Sequence, residues 1–196
     1  ITKKTKAEGL KSEIFELVEK YYSDSFPEKK FIPGVSPVPV SGKVFDQEEL
    51  IHIVESALDG WFTTGRFNEI FESGLAKFIN TKKLLTVNSG SSANLLALAA
   101  LTADELGEKK LKPGDEFISV AVSFPTTINP ALLYGLKPVF LDVNPTTYNV
   151  DVSQLEKAYS KKTKAIILAH TLGNPFDVEI VSDFAKKHDL CLIEDC

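Results

Sequence analysis

The sequence predicts an α/β fold in which a mostly parallel β-sheet is flanked by helices. From residue 84 onward, short apolar segments alternate with segments of helical spacing. This alternation favours parallel strands joined by right-handed crossovers. Segments such as 165–169 are continuously apolar, as is typical of strands covered on both faces. With 196 residues, 43% of them hydrophobic, the chain can bury a substantial core.

Residues 1–43 are expected to form an N-terminal arm. Apolar residues between 10 and 22 recur with helical spacing and predict one helix. Residues 26–43 contain four prolines and two glycines, which is typical of an extended connector. We therefore predict that the main domain spans residues 44–196.

The main domain is predicted to begin with two amphipathic helices and then to alternate strands with helices. Apolar positions at 50–58 and at 70–78 each fall on one helix face, and a Gly-Trp-Phe-Thr-Thr-Gly segment at 60–65 separates them. The predicted strands are 84–87, 116–121, 138–143, 164–169 and 190–194, and the predicted helices are 92–102, 127–135, 152–160 and 177–188. A buried parallel strand normally leads into a further helix, and the sequence stops just after the last strand. We therefore expect an incomplete domain.

Composition and charge argue against several classes of partner. The net charge is -5 and no long block of lysine or arginine occurs, so nucleic acid is not expected as a partner. No apolar run reaches the length of a membrane span, so no membrane association is expected. Cys191 and Cys196 match no common zinc spacing and do not suggest a disulfide framework. We therefore expect a reducing, cytoplasmic location and no metal site in this chain.

A hydroxyl-rich turn at 88–94 predicts a phosphate-binding site. It follows the apolar segment 84–87 and opens an almost wholly apolar helix. The first N–H groups of a helix lack intrahelical acceptors and carry partial positive charge, which favours an anion. Gly90 allows a close approach of the backbone, and the hydroxyls of Ser91 and Ser92 add donors. These three residues are the predicted phosphate ligands.

Residues that follow the other predicted strands are further candidates, because open α/β sheets bind ligands beyond the carboxyl ends of their strands. Phe124 and Asp195 occupy such positions. With a phosphate site, they suit a flat, phosphorylated heteroaromatic ring: Phe124 would stack on it, and Asp195 would pair with a protonated ring nitrogen. That pairing makes a pyridine ring an electron sink. His170 follows the strand 164–169 and either contacts the ligand or is an ordinary histidine near the sheet edge.

Several motifs, taken in chain order, resemble one superfamily. They are the segments 60–65, 89–93 (Ser-Gly-Ser-Ser-Ala), 112–116 (Lys-Pro-Gly-Asp-Glu), 138–143 (Pro-Val-Phe-Leu-Asp-Val), 163–167 (Thr-Lys-Ala-Ile-Ile) and 193–195 (Ile-Glu-Asp). Together they resemble the large domain of the pyridoxal-phosphate-dependent sugar aminotransferases and dehydratases, which has the aspartate-aminotransferase-like fold (fold type I). Segments 94–98, 124–130 and 169–174 resemble the CDP-4-keto-6-deoxyglucose 3-dehydratase group in particular.

The resemblance implies that 44–196 is the N-terminal part of a coenzyme-binding large domain. The turn of Gly90, Ser91 and Ser92 would bind the phosphate of pyridoxamine or pyridoxal 5'-phosphate. Phe124 would lie over the pyridine ring and Asp195 would hold its nitrogen.

The resemblance also implies a reaction, the C-3 dehydration of a nucleotide-linked 4-keto-6-deoxyhexose in deoxysugar (lipopolysaccharide O-antigen) biosynthesis. In such dehydratases the coenzyme amine condenses with the keto sugar, a base removes a coenzyme proton, and the 3-hydroxyl leaves. A [2Fe–2S] cluster and a partner reductase then deliver electrons. A homodimer is expected by analogy.

The resemblance leaves open which enzyme of the superfamily this is. Aminotransferases of the superfamily carry a lysine, and the dehydratases a histidine, at a position beyond Cys196. No catalytic residue is therefore assigned in this chain, and a nucleotide-sugar aminotransferase is the first alternative. A coenzyme-binding module without chemistry is another.

A more distant alternative is an α/β serine hydrolase. Residues 90–94 nearly match the nucleophile elbow G-x-S-x-G, with asparagine in place of the last glycine, and Ser92, Asp142 and His170 follow the chain order of its triad. Taken singly, the serine turn reads as a capped helix start, Phe124 as a core aromatic and Asp195 as a strand-end cap.

Overall fold

The computed structural model describes residues 5–196, so residues 1–4 of the predicted arm lie outside the described residues. The chain divides into two compact units, one ending at Leu85 and one spanning Thr86–Cys196. The predicted boundary at residue 43, and 44–196 as one domain, remain predictions. Within residues 5–196, no helix combines the length and the apolar character that a membrane crossing needs.

Within residues 5–85, the first unit contains three helices, at positions where the sequence predicts them. They are α1 (Lys6–Ser25), α2 (Gln47–Leu58) and α3 (Arg66–Phe78). Capping boxes begin α1 and α2: Thr5 pairs with Glu8, and Asp46 pairs with Glu49, which satisfies N–H groups at each helix start. No helix or strand lies between residues 26 and 46, as expected for the proline-rich connector.

Ion pairs join the helices of the first unit. Arg66 lies 2.9 Å from a carboxylate oxygen of Glu55 and 2.8 Å from one of Asp59. Lys11 of α1 also contacts Glu55, at 2.8 Å. The hydrogen bonds from Lys11 and Arg66 lower the pKa of Glu55, so this one carboxylate connects α1, α2 and α3.

The second unit is built around a fully parallel sheet of four strands. They are β1 (Glu116–Val120), β2 (Lys137–Leu141), β3 (Thr163–Ala169) and β4 (Cys191–Asp195), in the spatial order β2-β1-β3-β4. The helices of this unit are α4 (Gly90–Leu101), α5 (Pro125–Leu133), α6 (Leu155–Ala158) and α7 (Val178–Lys187). The predicted α/β class with a parallel sheet is therefore confirmed.

Neighbouring residues of the central strands pack into two separate hydrophobic clusters. Phe117 of β1 belongs to a cluster that includes Leu98 of α4 and residues of α5. Ile118 belongs to a second cluster, which includes residues of α6 and α7. Because successive side chains of a strand point to opposite faces, helices cover both faces of the sheet. This two-sided burial explains why the segment 165–169 is apolar throughout.

Two predicted elements differ from the structure. The segment 84–87 is not a strand, and the four-stranded sheet does not include it. A strand needs a hydrogen-bonded neighbour, and apolar composition alone does not provide one. The predicted helix 152–160 is a 3-10 turn (Val152–Gln154) followed by the short α6. The helix ends there because Tyr159 is extended (φ -70°, ψ 135°) and its ring packs on His188, with centroids 4.0 Å apart.

Candidate functional site

The carboxyl ends of β3 and β4 and the first turns of α4 and α5 border a cavity of about 760 Å³. This volume is within the usual range for small-molecule sites, and the position is the one where open parallel sheets bind ligands. All residues that line the cavity belong to the second unit. Of the predicted site residues, Ser92 does not line it, whereas the others do, namely Gly90, Ser91, Phe124, His170 and Asp195.

The start of α4 lies at the cavity. Gly90 and Ser91 are its first two residues, where backbone N–H groups lack intrahelical acceptors, and both line the cavity. Ser89 is the N-cap: its Oγ accepts from the Ser92 N–H at 3.2 Å and donates to the Ser92 hydroxyl at 3.2 Å. A Cβ at Gly90 would meet no non-neighbouring atom within 4 Å. The turn is therefore a capped helix start that leaves space for an anion beside Gly90 and Ser91.

The carboxylate of Asp195, the last residue of β4, is held by side chains of two helices. Asn94 Nδ2 donates to its Oδ2 at 2.9 Å, and Thr127 Oγ1 donates to the same oxygen at 2.6 Å. The Asn94 amide also donates to the carbonyl oxygen of Thr126, at 3.3 Å. Asn94 and Thr127 are 6% and 1% exposed. A simple strand-end cap does not account for Asp195, because its side chain joins α4 and α5 to the end of the sheet.

Asn94 and Thr127 are absent from the residues that sequence reasoning selects. Asn94 does carry a signal, because it is the one polar residue in the apolar run 93–101. A lone amide in such a helix needs a buried partner, since leaving it unpaired is unfavourable. Thr127 carries no comparable signal, because it follows another threonine in a segment of mixed polarity.

Phe124 is an exposed aromatic at the rim of the cavity. It immediately precedes α5, which begins with Pro125, a residue well suited to the first position of a helix. The Phe124 side chain is 73% exposed, so the interpretation as a core aromatic is wrong. Its ring lines the cavity and is available for stacking on a flat ligand.

His170 is fixed beside Asp195. Its Nε2 lies 3.0 Å from Glu194 Oε2, and its ring stacks on Phe176 with centroids 4.3 Å apart and an interplanar angle of 2°. Its backbone N–H donates to the carbonyl oxygen of Asp195 at 2.9 Å. The Nδ1 atom is buried and has no hydrogen-bond partner among residues 5–196. His170 therefore lines the cavity in a fixed orientation.

The residues of the hydrolase alternative do not form a triad. The Nε2 atom of His170 pairs with Glu194, and the described part of the chain contains no hydrogen bond from His170 to Ser92 or Asp142. Asp142 does not line the cavity. Its backbone N–H and carbonyl oxygen pair with Gln154 and Asp151, in a neighbouring loop. The serine-hydrolase interpretation is wrong.

Cys196 lines the cavity as a thiol. Burial raises its pKa, and the negative charges of Glu194 and Asp195 raise it further. Both effects disfavour the thiolate form of Cys196, the form that binds metal. Within residues 5–196, no group of three or more histidine, cysteine, aspartate or glutamate residues is arranged to hold a metal ion.

Curated relatives and solved structures resemble this chain over most of its length. It is 54% identical over 190 residues to the lipopolysaccharide biosynthesis protein RfbH of Salmonella typhimurium. The matched region covers 97% of this chain and 44% of that protein. It is 49% identical to a dTDP-4-dehydro-2,6-dideoxy-D-glucose 3-dehydratase of Saccharopolyspora spinosa, over 84% of this chain and 36% of that enzyme. The chain therefore spans less than half the length of these relatives.

Structural similarity agrees with the sequence similarity. An Escherichia coli GDP-4-keto-6-deoxy-D-mannose-3-dehydratase with bound hydrated PLP has a TM-score of 0.72 and 36% identity, over 81% of this chain and 40% of that one. The sequence model of the DegT/DnrJ/EryC1/StrS aminotransferase family matches residues 44–196. The chain belongs to this family of pyridoxal-phosphate-dependent sugar aminotransferases and dehydratases.

Proposed function

We propose that this chain is the coenzyme-binding part of an enzyme that removes the C-3 hydroxyl of a nucleotide-linked 4-keto-6-deoxyhexose in deoxysugar biosynthesis. The observation that supports this most is that one cavity contains both the open start of α4 and the carboxylate of Asp195. These two features match the two polar ends of pyridoxamine or pyridoxal 5'-phosphate, a phosphate and a ring nitrogen.

The residues of the cavity fit this coenzyme. The N–H groups of Gly90 and Ser91, with the Ser91 hydroxyl, would hold the phosphate. Phe124 would cover one face of the ring and shield it from water. Asp195 would hold the proton of the ring nitrogen, in a charge-assisted hydrogen bond. When bound, the coenzyme supplies an amine for the keto sugar and a ring that accepts electrons during bond cleavage.

Dehydration is favoured over transamination by the names of the relatives. Those at 49% and at 36–37% identity are sugar 3-dehydratases. A relative named as an aminotransferase, the 3-oxo-glucose-6-phosphate:glutamate aminotransferase of Bacillus subtilis, is 30% identical. Transamination of a nucleotide-linked keto sugar is the second candidate, because solved structures named as aminotransferases share the fold with TM-scores of 0.68 to 0.70.

A [2Fe–2S] cluster belongs to the proposal for the complete enzyme only, because the resemblance places the cysteines that would hold it beyond Cys196. Cys191 begins β4 and Cys196 follows its end, which separates them by roughly 16 Å at the rise of an extended strand. This pair is therefore not assigned as cluster ligands. The homodimer and the reductase partner remain part of the proposal, on the strength of the family resemblance alone.

The proposed reaction is tested with the complete enzyme, supplied with pyridoxamine 5'-phosphate, a reductant and 4-keto-6-deoxyhexoses linked to CDP, GDP or dTDP. We expect mass spectrometry to detect a sugar that has lost its C-3 oxygen, and no requirement for an amino acid donor. A sugar aminated with glutamate as the donor, with the C-3 oxygen retained, would instead establish the aminotransferase.

The two serines of the turn are expected to differ in their effect on coenzyme binding. Replacing Ser91 with alanine removes one donor from the cavity and should weaken binding of pyridoxamine 5'-phosphate about tenfold or more, because a hydrogen bond to a charged group contributes about 1.5–3 kcal/mol. The matched control, Ser92→Ala, should change the Kd less, because Ser92 does not line the cavity. Equilibrium dialysis measures both. An equal or larger effect of Ser92→Ala would contradict the proposed phosphate site.

A further inference from the structure

Two buried side chains fix the orientation of the Asp195 carboxylate. The Asn94 amide and the Thr127 hydroxyl both donate to Oδ2, at 2.9 and 2.6 Å. Two donors from different directions on one oxygen restrict rotation about the Cβ–Cγ bond. In the described residues, no other hydrogen bond to the side chain of Asp195 accompanies these two. The second oxygen, Oδ1, is therefore the one available to a ligand in the cavity.

Asn94 also connects the two ends of the site. It lies on α4, one turn after Gly90 and Ser91 at the predicted phosphate position. Its amide reaches Asp195 on β4 and the Thr126 carbonyl oxygen on α5. One buried side chain thus links the phosphate-binding helix, the helix that follows Phe124, and the strand that carries the carboxylate. The link therefore ties the start of α4 to the carboxylate of Asp195.

We propose that Asn94 and Thr127 are positioning residues, which hold Asp195 so that Oδ1 meets the coenzyme ring nitrogen at a fixed distance from the phosphate site. This inference rests on the proposed function, since it requires the coenzyme in this cavity. Both residues line the cavity beside Asp195, and the role proposed for them is exercised through Asp195, because both donate to its Oδ2. Both residues are buried, at 6% and 1% exposure.

The test uses near-isosteric variants of the complete enzyme. Thr127→Val and Asn94→Leu remove one donor each, and Thr127→Ser retains the hydroxyl. The matched control is Ser119→Ala, because the Ser119 hydroxyl is equally buried and donates to the Ile167 carbonyl oxygen at 2.7 Å, away from the cavity. Three quantities are measured: the Kd for pyridoxamine 5'-phosphate, the nitrogen-15 chemical shift of the coenzyme ring nitrogen, and the Tm without coenzyme.

We expect Thr127→Val and Asn94→Leu each to weaken coenzyme binding about tenfold or more, because each removes a hydrogen bond to a charged group. Both should shift the ring-nitrogen resonance toward that of a neutral pyridine. Thr127→Ser should restore the parent values, and Ser119→Ala should lower the Tm without changing the resonance. If Asn94→Leu does not fold, the comparison of Thr127→Val with Thr127→Ser decides the matter.

The outcomes separate this inference from the proposed function. If Asp195→Asn shifts the resonance but Thr127→Val and Asn94→Leu lower only the Tm, the two residues are merely structural and the inference is overturned. If the parent enzyme does not bind pyridoxamine 5'-phosphate, or Asp195→Asn leaves the resonance unchanged, the proposed function itself fails and the positioning role fails with it.

Discussion

Replacing Asp195 with alanine is expected to lower turnover of the complete enzyme by roughly two to four orders of magnitude. Removing one partner of a buried charge pair costs about 3–5 kcal/mol, and each 1.36 kcal/mol in the barrier changes a rate tenfold. Without a carboxylate at its nitrogen, the coenzyme ring is a poor electron sink. The variant also leaves the donors of Asn94 and Thr127 without the oxygen that they share.

Steady-state kinetics at saturating coenzyme measure this effect, since saturation separates turnover from binding. Asp195→Asn preserves the shape of the side chain and should lose nearly as much activity, because a neutral amide does not balance the charge on the ring nitrogen. Glu194→Gln is the matched control: it removes a neighbouring carboxylate, which pairs with His170, and should cost much less. Undiminished turnover in Asp195→Ala would refute the ring-nitrogen contact.

Replacing Leu98 with alanine is expected to destabilise the second unit by about 2–5 kcal/mol, the usual range for a leucine-to-alanine change in a core. Leu98 is fully buried in the cluster with Phe117, between α4 and the sheet. The truncated side chain leaves a cavity that rigid strands cannot fill, because they are packed on both faces.

The matched control for this prediction is Leu96→Ala, which makes the same chemical change in the same helix at a side chain that is 41% exposed. We expect a clearly smaller shift in the midpoint of urea unfolding of the complete protein, followed by far-ultraviolet circular dichroism. Equal shifts for the two variants would mean that α4 does not pack through the face that contains Leu98.

The sequence contains enough information for most elements and for the location of the site. Strand–helix alternation identifies a parallel sheet, and the sheet then brings residues from the ends of distant strands to one edge, as it does for Phe124, His170 and Asp195. The predicted strand at 84–87 is wrong. Apolar composition does not indicate whether a segment has a hydrogen-bonded neighbour.

Side-chain partners within the site are harder to predict than its location. Three serines lie within residues 89–92, and composition does not reveal which one caps the helix and which one faces the cavity. The structure makes Ser89 the cap and leaves Ser91 at the cavity. The Thr127–Asp195 hydrogen bond spans 68 positions, and no local pattern encodes such a contact.

The strand order β2-β1-β3-β4 has a consequence for how the chain acquires its structure. At the centre of the sheet β1 pairs with β3, for example through Glu116 and Thr163. In the sequence these two strands are separated by β2, α6 and the connecting loops, so their pairing must close a long loop. Closing such long loops has an entropic cost before any pairing compensates for it, and topologies rich in distant contacts fold slowly. The sheet of the second unit is thus expected to form slowly and in one cooperative step. Until it forms, unpaired strand edges are exposed and can associate with other copies of the chain.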